Sequence, residues 1–291
     1  MTKVVDKAVN SLNQAIFILD FSPPRGGDCE LLKEAKHVNA DFLSIAYNPG
    51  KSVRVNSAIT AHWIKKNTGQ DVIFNLATRD MNKIAIQSLL LGAQLLGLEN
   101  LVVVKGDKFS KSLTYVSTEV NDFTPTKLIN SIYEMNRGVD FKGHELRSST
   151  NFCIGASIDL HRNINKEIIL AHNKVKAGAQ YLLSQATFTP QRTQDFIQGY
   201  TEQYGENSLP IMFHGIQVMN KDDVFFGKIP KWVSEDLSKG RSGDDIALQV
   251  MHEFREANFK SFYIIPSIAK GGKRDYNTAQ NILEIYRNQT H

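Results

Sequence analysis

Short runs of β-branched and aromatic residues recur along the chain, separated by longer stretches in which apolar positions return every three or four residues. The runs are Ala15–Asp20 (AIFILD), Asp41–Tyr47 (DFLSIAY), Asp71–Ala77 (DVIFNLA), Asn100–Lys105 (NLVVVK), Phe152–Ile158 (FCIGASI), Gln180–Gln185 (QYLLSQ), Leu209–Gly215 (LPIMFHG) and Ser261–Pro266 (SFYIIP). Most are apolar nearly throughout rather than alternating, which predicts strands buried on both faces of a parallel sheet. The clearest helix lies over Asp80–Leu96, with Ile84, Ser88, Leu91 and Leu95 on one face and Asp80 placed to cap its start. Eight strand–helix units in succession predict an α/β chain folded as a (β/α)8 TIM barrel, a single domain over residues 1–291. An open doubly wound sheet is the alternative. Two connections are long, about 106–123 after strand four and about 217–243 after strand seven. Long loops that follow barrel strands lie on the catalytic face, so both are candidate lids.

Composition narrows the class without naming it. With 42% hydrophobic and 22% charged residues, the 291-residue chain has an ordinary globular composition, which excludes collagen, coiled coil and disorder. The formal charge of +4 comes from scattered residues rather than basic runs, so no nucleic-acid partner is expected. Cys29 and Cys153 are too few for a disulfide framework and read as ordinary small apolar residues. The greasiest stretch, Leu89–Val104, is interrupted by Gln94, Glu99 and Asn100, and the start of the chain carries Asp6 and Asp20 without a signal-type apolar block. The expectation is a cytoplasmic protein without a membrane partner.

Barrel enzymes place their chemistry at the C-terminal ends of strands. Here those positions supply Asp20, Tyr47, Asn75, Lys105, Asp107, Asp159, His161, Gln185 and His214. Any one of them reads as a polar residue meeting solvent, but together they put carboxylates, a lysine, histidines and amides into one mouth. Several common motifs are missing. Asn48–Ser52 (NPGKS) imitates a phosphate loop, yet Ile45 stands where its first glycine belongs, and no GxGxxG, HExxH or nucleophile elbow is present. The pairs Gly26–Gly27 and Gly271–Gly272 read as turns, and no metal site is expected.

Four stretches in order resemble one family. Phe17–Gly26 (FILDFSPPRG) resembles the E-F-F-P-P signature of the 5,10-methylenetetrahydrofolate reductases, and Thr78–Asn82 (TRDMN) opens the helix after strand three as it does there. Leu91–Asp107 (LGAQLLGLENLVVVKGD) is similar to the family's L-x-x-G-x-x-N-x-L-x-L-x-G-D, and Lys174–Gln185 (KVKAGAQYLLSQ) to K-x-x-A-G-A-x-x-x-x-T-Q. The resemblance implies a (β/α)8 barrel with a bound flavin, FAD rather than FMN, and a reduced folate as substrate. It implies that Asp20 takes the place of the family's glutamate acid, that Asp107 and Gln185 hold the pterin, and that His161, Glu167 and Lys174 contact the flavin. Ala46, Tyr47, Asn75, Lys105, Gly106, Tyr115 and Ser157 complete the implied cofactor surroundings.

The departures from that pattern carry information too. Asp20 is one methylene shorter than glutamate, and Ala46, Asn75 and Ser157 stand where the family has threonine, histidine and tyrosine. Between Gly215 and Pro230 the chain is shorter than the family, in the segment that shelves a nicotinamide nucleotide; Phe225 or Phe226 is the candidate replacement. The expected activity is interconversion of 5,10-methylenetetrahydrofolate and 5-methyltetrahydrofolate by hydride transfer at flavin N5, with oxidation of the methyl-folate as the favoured direction. NAD(P)H stays open as hydride source, and a separate electron-transfer partner is one alternative to it. A flavin-free folate-binding or regulatory homologue and a barrel oxidoreductase for another reduced pterin remain as other readings. The family also implies a homo-oligomer.

Overall fold

The computed structural model describes residues 1–11, 14–109, 117–223 and 229–290. Eight parallel strands close a barrel in chain order: β1 (Ile16–Phe21), β2 (Phe42–Ile45), β3 (Val72–Ala77), β4 (Asn100–Val104), β5 (Cys153–Ile158), β6 (Tyr181–Ala186), β7 (Ile211–Gln217) and β8 (Ser261–Ile265). Each falls on one of the eight apolar runs. The (β/α)8 expectation therefore holds. Around it lie α2 (Ser57–Thr68), α3 (Lys83–Leu95), α4 (Pro125–Asn136), α5 (Ile164–Lys176), α6 (Gln191–Tyr204), α7 (Lys231–Ser238), α8 (Gly243–Glu256) and α9 (Tyr276–Thr290), preceded by the short α1 (Val4–Asn10). The first crossover uses a 3-10 segment, Cys29–His37, where the other units have an α-helix. No helix among the described residues is long and apolar enough to cross a membrane.

Side-chain alternation divides the core into two parts. Facing the barrel axis are Ile16, Ile18, Phe42, Ile73, Val102, Cys153, Tyr181, Leu183 and Phe213, joined from below by Val4 and Ala8 of α1. The opposite faces of the strands pack on the helices in a larger cluster that includes Phe17, Leu19, Phe74, Leu101, Ile154 and Phe262. Asn100 anchors α1: its Oδ1 accepts from Val4 N at 3.1 Å and its amide donates to Thr2 O at 2.8 Å. Tyr181 lies across the axis and donates to Leu101 O at 3.0 Å, in space available because residue 155 is glycine. A Cβ there would come within 2.4 Å of the tyrosine ring.

Helix starts follow their caps. Asn82, Thr124, Asn163 and Ser242 each accept a backbone N–H of the following turn, contacts that contribute about 1 kcal/mol apiece. Two expectations about α3 fail. Its cap is Asn82 rather than Asp80, which pairs with Arg79 instead. The buried face is Ile86, Gln87, Leu90 and Ala93, whereas Ile84, Leu91 and Leu95 are exposed. The helix is apolar almost all round, so periodicity did not single out the inner stripe. Of the cysteines, Cys153 is buried in the barrel, its thiol pushed up to about 11 by burial, but Cys29 is exposed and does not fill a core position. Of the two long connections, the one after β7 contains added structure, and so does the unit after β8. After β7 comes α7 as well as α8, and after β8 a small hairpin of β9 (Ser267–Ile268) and β10 (Arg274–Asp275) turns through Gly271 and Gly272, both at positive φ.

Candidate active site at the barrel mouth

Asp20 is the inward residue above Ile16 and Ile18 on β1, and it lies beside Ser44 of β2 in the strand register. The residue is 4% exposed. Tyr263 of β8 donates its hydroxyl to Asp20 Oδ1 at 2.9 Å, and Arg274 of β10 places Nη2 at 2.8 Å from Oδ2. The hairpin brings Arg274 back over the mouth, where its Nε also donates to Ser22 Oγ at 3.0 Å. Ser22 N in turn donates to the Tyr276 hydroxyl at 2.9 Å, tying the start of α9 to the end of β1. Burial, and then the adjacent Asp20 charge, hold the Tyr263 phenol well above its ordinary range. Arg274 is buried yet its Nη1 has no hydrogen-bond partner among the described residues. Polar contacts continue across the barrel, because Ser44 lies against Tyr263 and donates to Asn75 Oδ1 at 3.2 Å.

A second group forms over β3 and β4. Arg79 is 5% exposed and clamps Asp80, with Nη2 to Oδ2 at 2.7 Å, while Nη1 donates to Asp107 O at 2.8 Å and the guanidinium covers the Phe109 ring at 4.3 Å. Val120 N donates to Arg79 O at 2.8 Å, so one side chain and its carbonyl fasten both ends of the loop after β4. Tyr47 joins this group; burial and the Asp80 carboxylate push its phenol up to about 12. Gly106 has φ of 80°, and a Cβ there would meet Arg79 Cβ at 3.1 Å, so the close approach of the loop to Arg79 requires glycine. The side chains of Lys105 and Asp107 are exposed on the rim.

The third group lies over β5 and β6. Glu167 is buried and accepts Asp159 N at 3.1 Å; Lys174, one face-repeat further along α5, donates to Ser157 O at 2.6 Å. Lys174 is 6% exposed, and burial lowers its pKa while the Glu167 charge opposes the shift. His161 reaches across to Ala186 O at 2.7 Å. A bulge between Leu183 and Ala186 turns Gln185 outward at the mouth, with Ser184 Oγ accepting from Gly215 N at 2.8 Å. A Cβ on Gly215 would come within 2.7 Å of the Gln185 backbone, so the bulge and the glycine go together.

The predicted site residues thus separate. Asp20, Ala46, Asn75 and Ser157 stand at inward-facing positions at the strand ends, Gln185 is exposed at the bulge of β6, and Tyr47, Lys105, Gly106, Asp107, His161, Glu167 and Lys174 flank them. His214 does not belong to the mouth. It sits mid-strand on β7 with its ring facing outward between Phe254 and Phe259, centroids 5.0 and 4.6 Å away, opposite in parity to the inward Phe213. Tyr115, Phe225 and Phe226 lie outside the described residues. Sequence reasoning missed Tyr263, Arg274, Arg79 and Ser44. Tyr263 and Ser44 carry a usable signal, polar groups at inward positions of otherwise apolar strands; Arg274 carries none, because only the hairpin brings it to Asp20.

The family model for methylenetetrahydrofolate reductase matches residues 5–255. Among solved structures the chain is similar to an uncharacterized protein from Clostridium thermocellum that binds two copies of 5-methyl-5,6,7,8-tetrahydrofolic acid. That likeness has a TM-score of 0.68 at 13% identity and covers 97% of this chain and 100% of the other. It is also similar to 2,3-dimethylmalate lyase, a member of the PEP mutase/isocitrate lyase superfamily, with a TM-score of 0.50 at 11% identity over 91% of this chain and 81% of that one. At such identities these likenesses speak for the barrel alone. No curated protein matches the chain.

Proposed function

From a chain that belongs to the methylenetetrahydrofolate reductase family, we propose a flavin-dependent oxidoreductase that interconverts 5,10-methylenetetrahydrofolate and 5-methyltetrahydrofolate. The observation that carries the reading is the family match over residues 5–255, laid on a mouth whose floor ends in a buried carboxylate. The folate-binding barrel from Clostridium thermocellum, similar in fold, supports a reduced folate as ligand. The reading takes residues 1–291 as one barrel domain.

The residues present fit a flavin. Ala46, Ala77 and Ser157 are small side chains at or beside the ends of their strands, above the inward layer of Ile18, Tyr181 and Phe213, where a flat ring would lie. Asn75 and Gln185 offer amides at that level. The ammonium of Lys174 has three N–H donors, of which one is directed to Ser157 O, and a buried cation of this kind suits a phosphate or ribityl oxygen. Lys174, Glu167 and His161 would hold FAD, with Tyr47, Lys105 and Gly106 beside them, and Asp107 and Gln185 would hold the pterin by its N–H and carbonyl edges. The flavin supplies a reversible hydride site when bound.

The protein's own part is to orient the folate, exclude water and handle one proton. Asp20 accepts the Tyr263 hydroxyl on Oδ1 and is ion-paired with Arg274 through Oδ2. Held by these two partners, Asp20 is placed to take the proton that ring closure to the methylene bridge releases, the step of methyl-folate oxidation that needs a base. The test is anaerobic mixing of the purified yellow protein with each donor. Rapid bleaching by 5-methyltetrahydrofolate and slow bleaching by NADH or NADPH is the expected result. Fast bleaching by NADH with no response to methyl-folate would restore an ordinary reductase, and a protein that takes up neither FAD nor FMN would remove the flavin altogether.

A further inference from the structure

Asp20, the carboxylate at the centre of the mouth, is itself shut away. It is 4% exposed, and the Arg274 side chain that pairs with it is 8% exposed. Tyr263 is different: its ring is half-buried, it occupies an inward position of β8 beside Ile18 in the register, and its hydroxyl points at Asp20 Oδ1. Of the hydrogen-bonded pair, Tyr263 is the partly exposed member and Asp20 the buried one, so Tyr263 is the one open to a ligand.

We propose that Tyr263 is the group that exchanges a proton with the folate, and that Asp20, fixed by Arg274, stands behind it as the proton's destination. The proposal rests on the folate reading above. In the closing direction the substrate N–H bond breaks as an O–H bond forms on the phenol oxygen, while the original phenolic proton passes to Asp20 Oδ1. The carboxylate becomes a carboxylic acid, the tyrosine ends neutral, and no oxidant enters this step; opening the bridge runs the same transfers backwards. The short Asp20 side chain fits such a relay. A carboxylate one methylene further from the substrate needs an intermediary, and Tyr263 spans that gap with a 2.9 Å hydrogen bond already made.

The groups around the pair are consistent with a neutral phenol carrying protons. Arg274 faces Asp20 from β10, Tyr276 lies close by on α9, Ser44 touches Tyr263 from β2, and Arg54 at the exit of β2 feels the Arg274 charge. Burial and the Asp20 charge both disfavour the phenolate, so a proton leaves the phenol only as another arrives. Arg274 is thereby a positioning residue: it fixes the carboxylate and its charge without facing the reacting atoms.

The experiment uses the flavin-loaded protein and two readouts. First, dithionite-reduced enzyme is mixed with 5,10-methylenetetrahydrofolate across a pH series. Tyr263→Phe should slow reoxidation about 100-fold, with Asp20→Asn and the double variant no slower than the worse single variant, because the two act as one unit. Replacing Tyr263 by 3,5-difluorotyrosine keeps the shape and should move the limiting pH limb downward with the more acidic phenol. Second, in protein labelled with 13C at tyrosine Cζ, the Tyr263 signal, assigned by its loss in Tyr263→Phe, should shift in Asp20→Asn and again on adding 5-methyltetrahydrofolate. A Tyr263→Phe protein with parental rate and pH profile, or a pH limb unmoved by fluorination, overturns the relay while leaving the folate reaction standing. A parent that neither binds nor transforms either folate overturns both, and the two failures are told apart by the parent alone.

Discussion

Burial between Phe254 and Phe259 pushes the His214 imidazole down to about 3, and its Nδ1 has no hydrogen-bond partner among the described residues. The folded protein therefore keeps this ring neutral where the unfolded chain, titrating near 6.5, takes up a proton. Between those two values the unfolded state binds more protons, so stability is complete above about pH 6.5 and is lost as the pH falls, by up to about 1.4 kcal/mol per unit. His214→Phe removes that dependence. Relative to the parent, the variant should gain about 1 kcal/mol or more between pH 7 and pH 5.5 in urea unfolding; parallel pH curves would place the titration elsewhere. The same residue marks how far the sequence can be read at this scale. Asp20, Asn75 and Gln185 were legible as polar residues closing apolar runs, and His214 looked identical. What separates them is strand parity, which depends on where each strand begins and is invisible when both faces are apolar. Arg274 was illegible for a different reason, since its partner lies 254 positions away in the chain and is met through a turn.

At the scale of elements, the start of α8 is fitted against the exit of β7 with no space to spare. A Cβ on Gly243 would lie 1.6 Å from Met219 O and 2.6 Å from its carbonyl carbon, so the two backbones touch because that residue is glycine. The following Asn220 donates its amide to Ser267 Oγ at 3.0 Å, which links this contact to β9 and the hairpin that holds Arg274. Gly243→Ala must push the loop or the helix aside and should cost about 1–3 kcal/mol, measured by chemical unfolding. Gly92→Ala in α3, where a Cβ meets nothing within 4 Å, should instead stabilise by roughly 0.4–1 kcal/mol. Equal effects from the two variants would show that the Met219 contact does not constrain the helix. All eight strands could be located in the sequence because burial on both faces leaves an uninterrupted apolar signature. The inner face of α3 could not, because a helix with leucine and isoleucine on every side has no distinctive stripe, and the hairpin after β8 is too short to leave one.

The molecule as a whole is closed at one end. Val4 and Ala8 of α1 fill the bottom of the barrel, Tyr181 lies across its axis over Gly155, and Phe42, Ile73 and Phe213 fill the space between them. This follows from ordinary barrel packing, in which the centre is a core and not a pore. Its consequence is one of traffic. On the function proposed above, with one open end to the barrel among the described residues, the folate and whatever carries electrons away would share a route, and the first would depart before the second is admitted. Steady-state rates with 5-methyltetrahydrofolate and a small artificial acceptor such as menadione should therefore give parallel double-reciprocal lines, and each reactant in excess should inhibit by occupying the other's turn. Intersecting lines would require both to fit at once. Replacing Tyr181 by a smaller residue should loosen the floor without opening a back exit, since α1 still closes the far side, so turnover by alternation should survive a change that costs the barrel much of its packing.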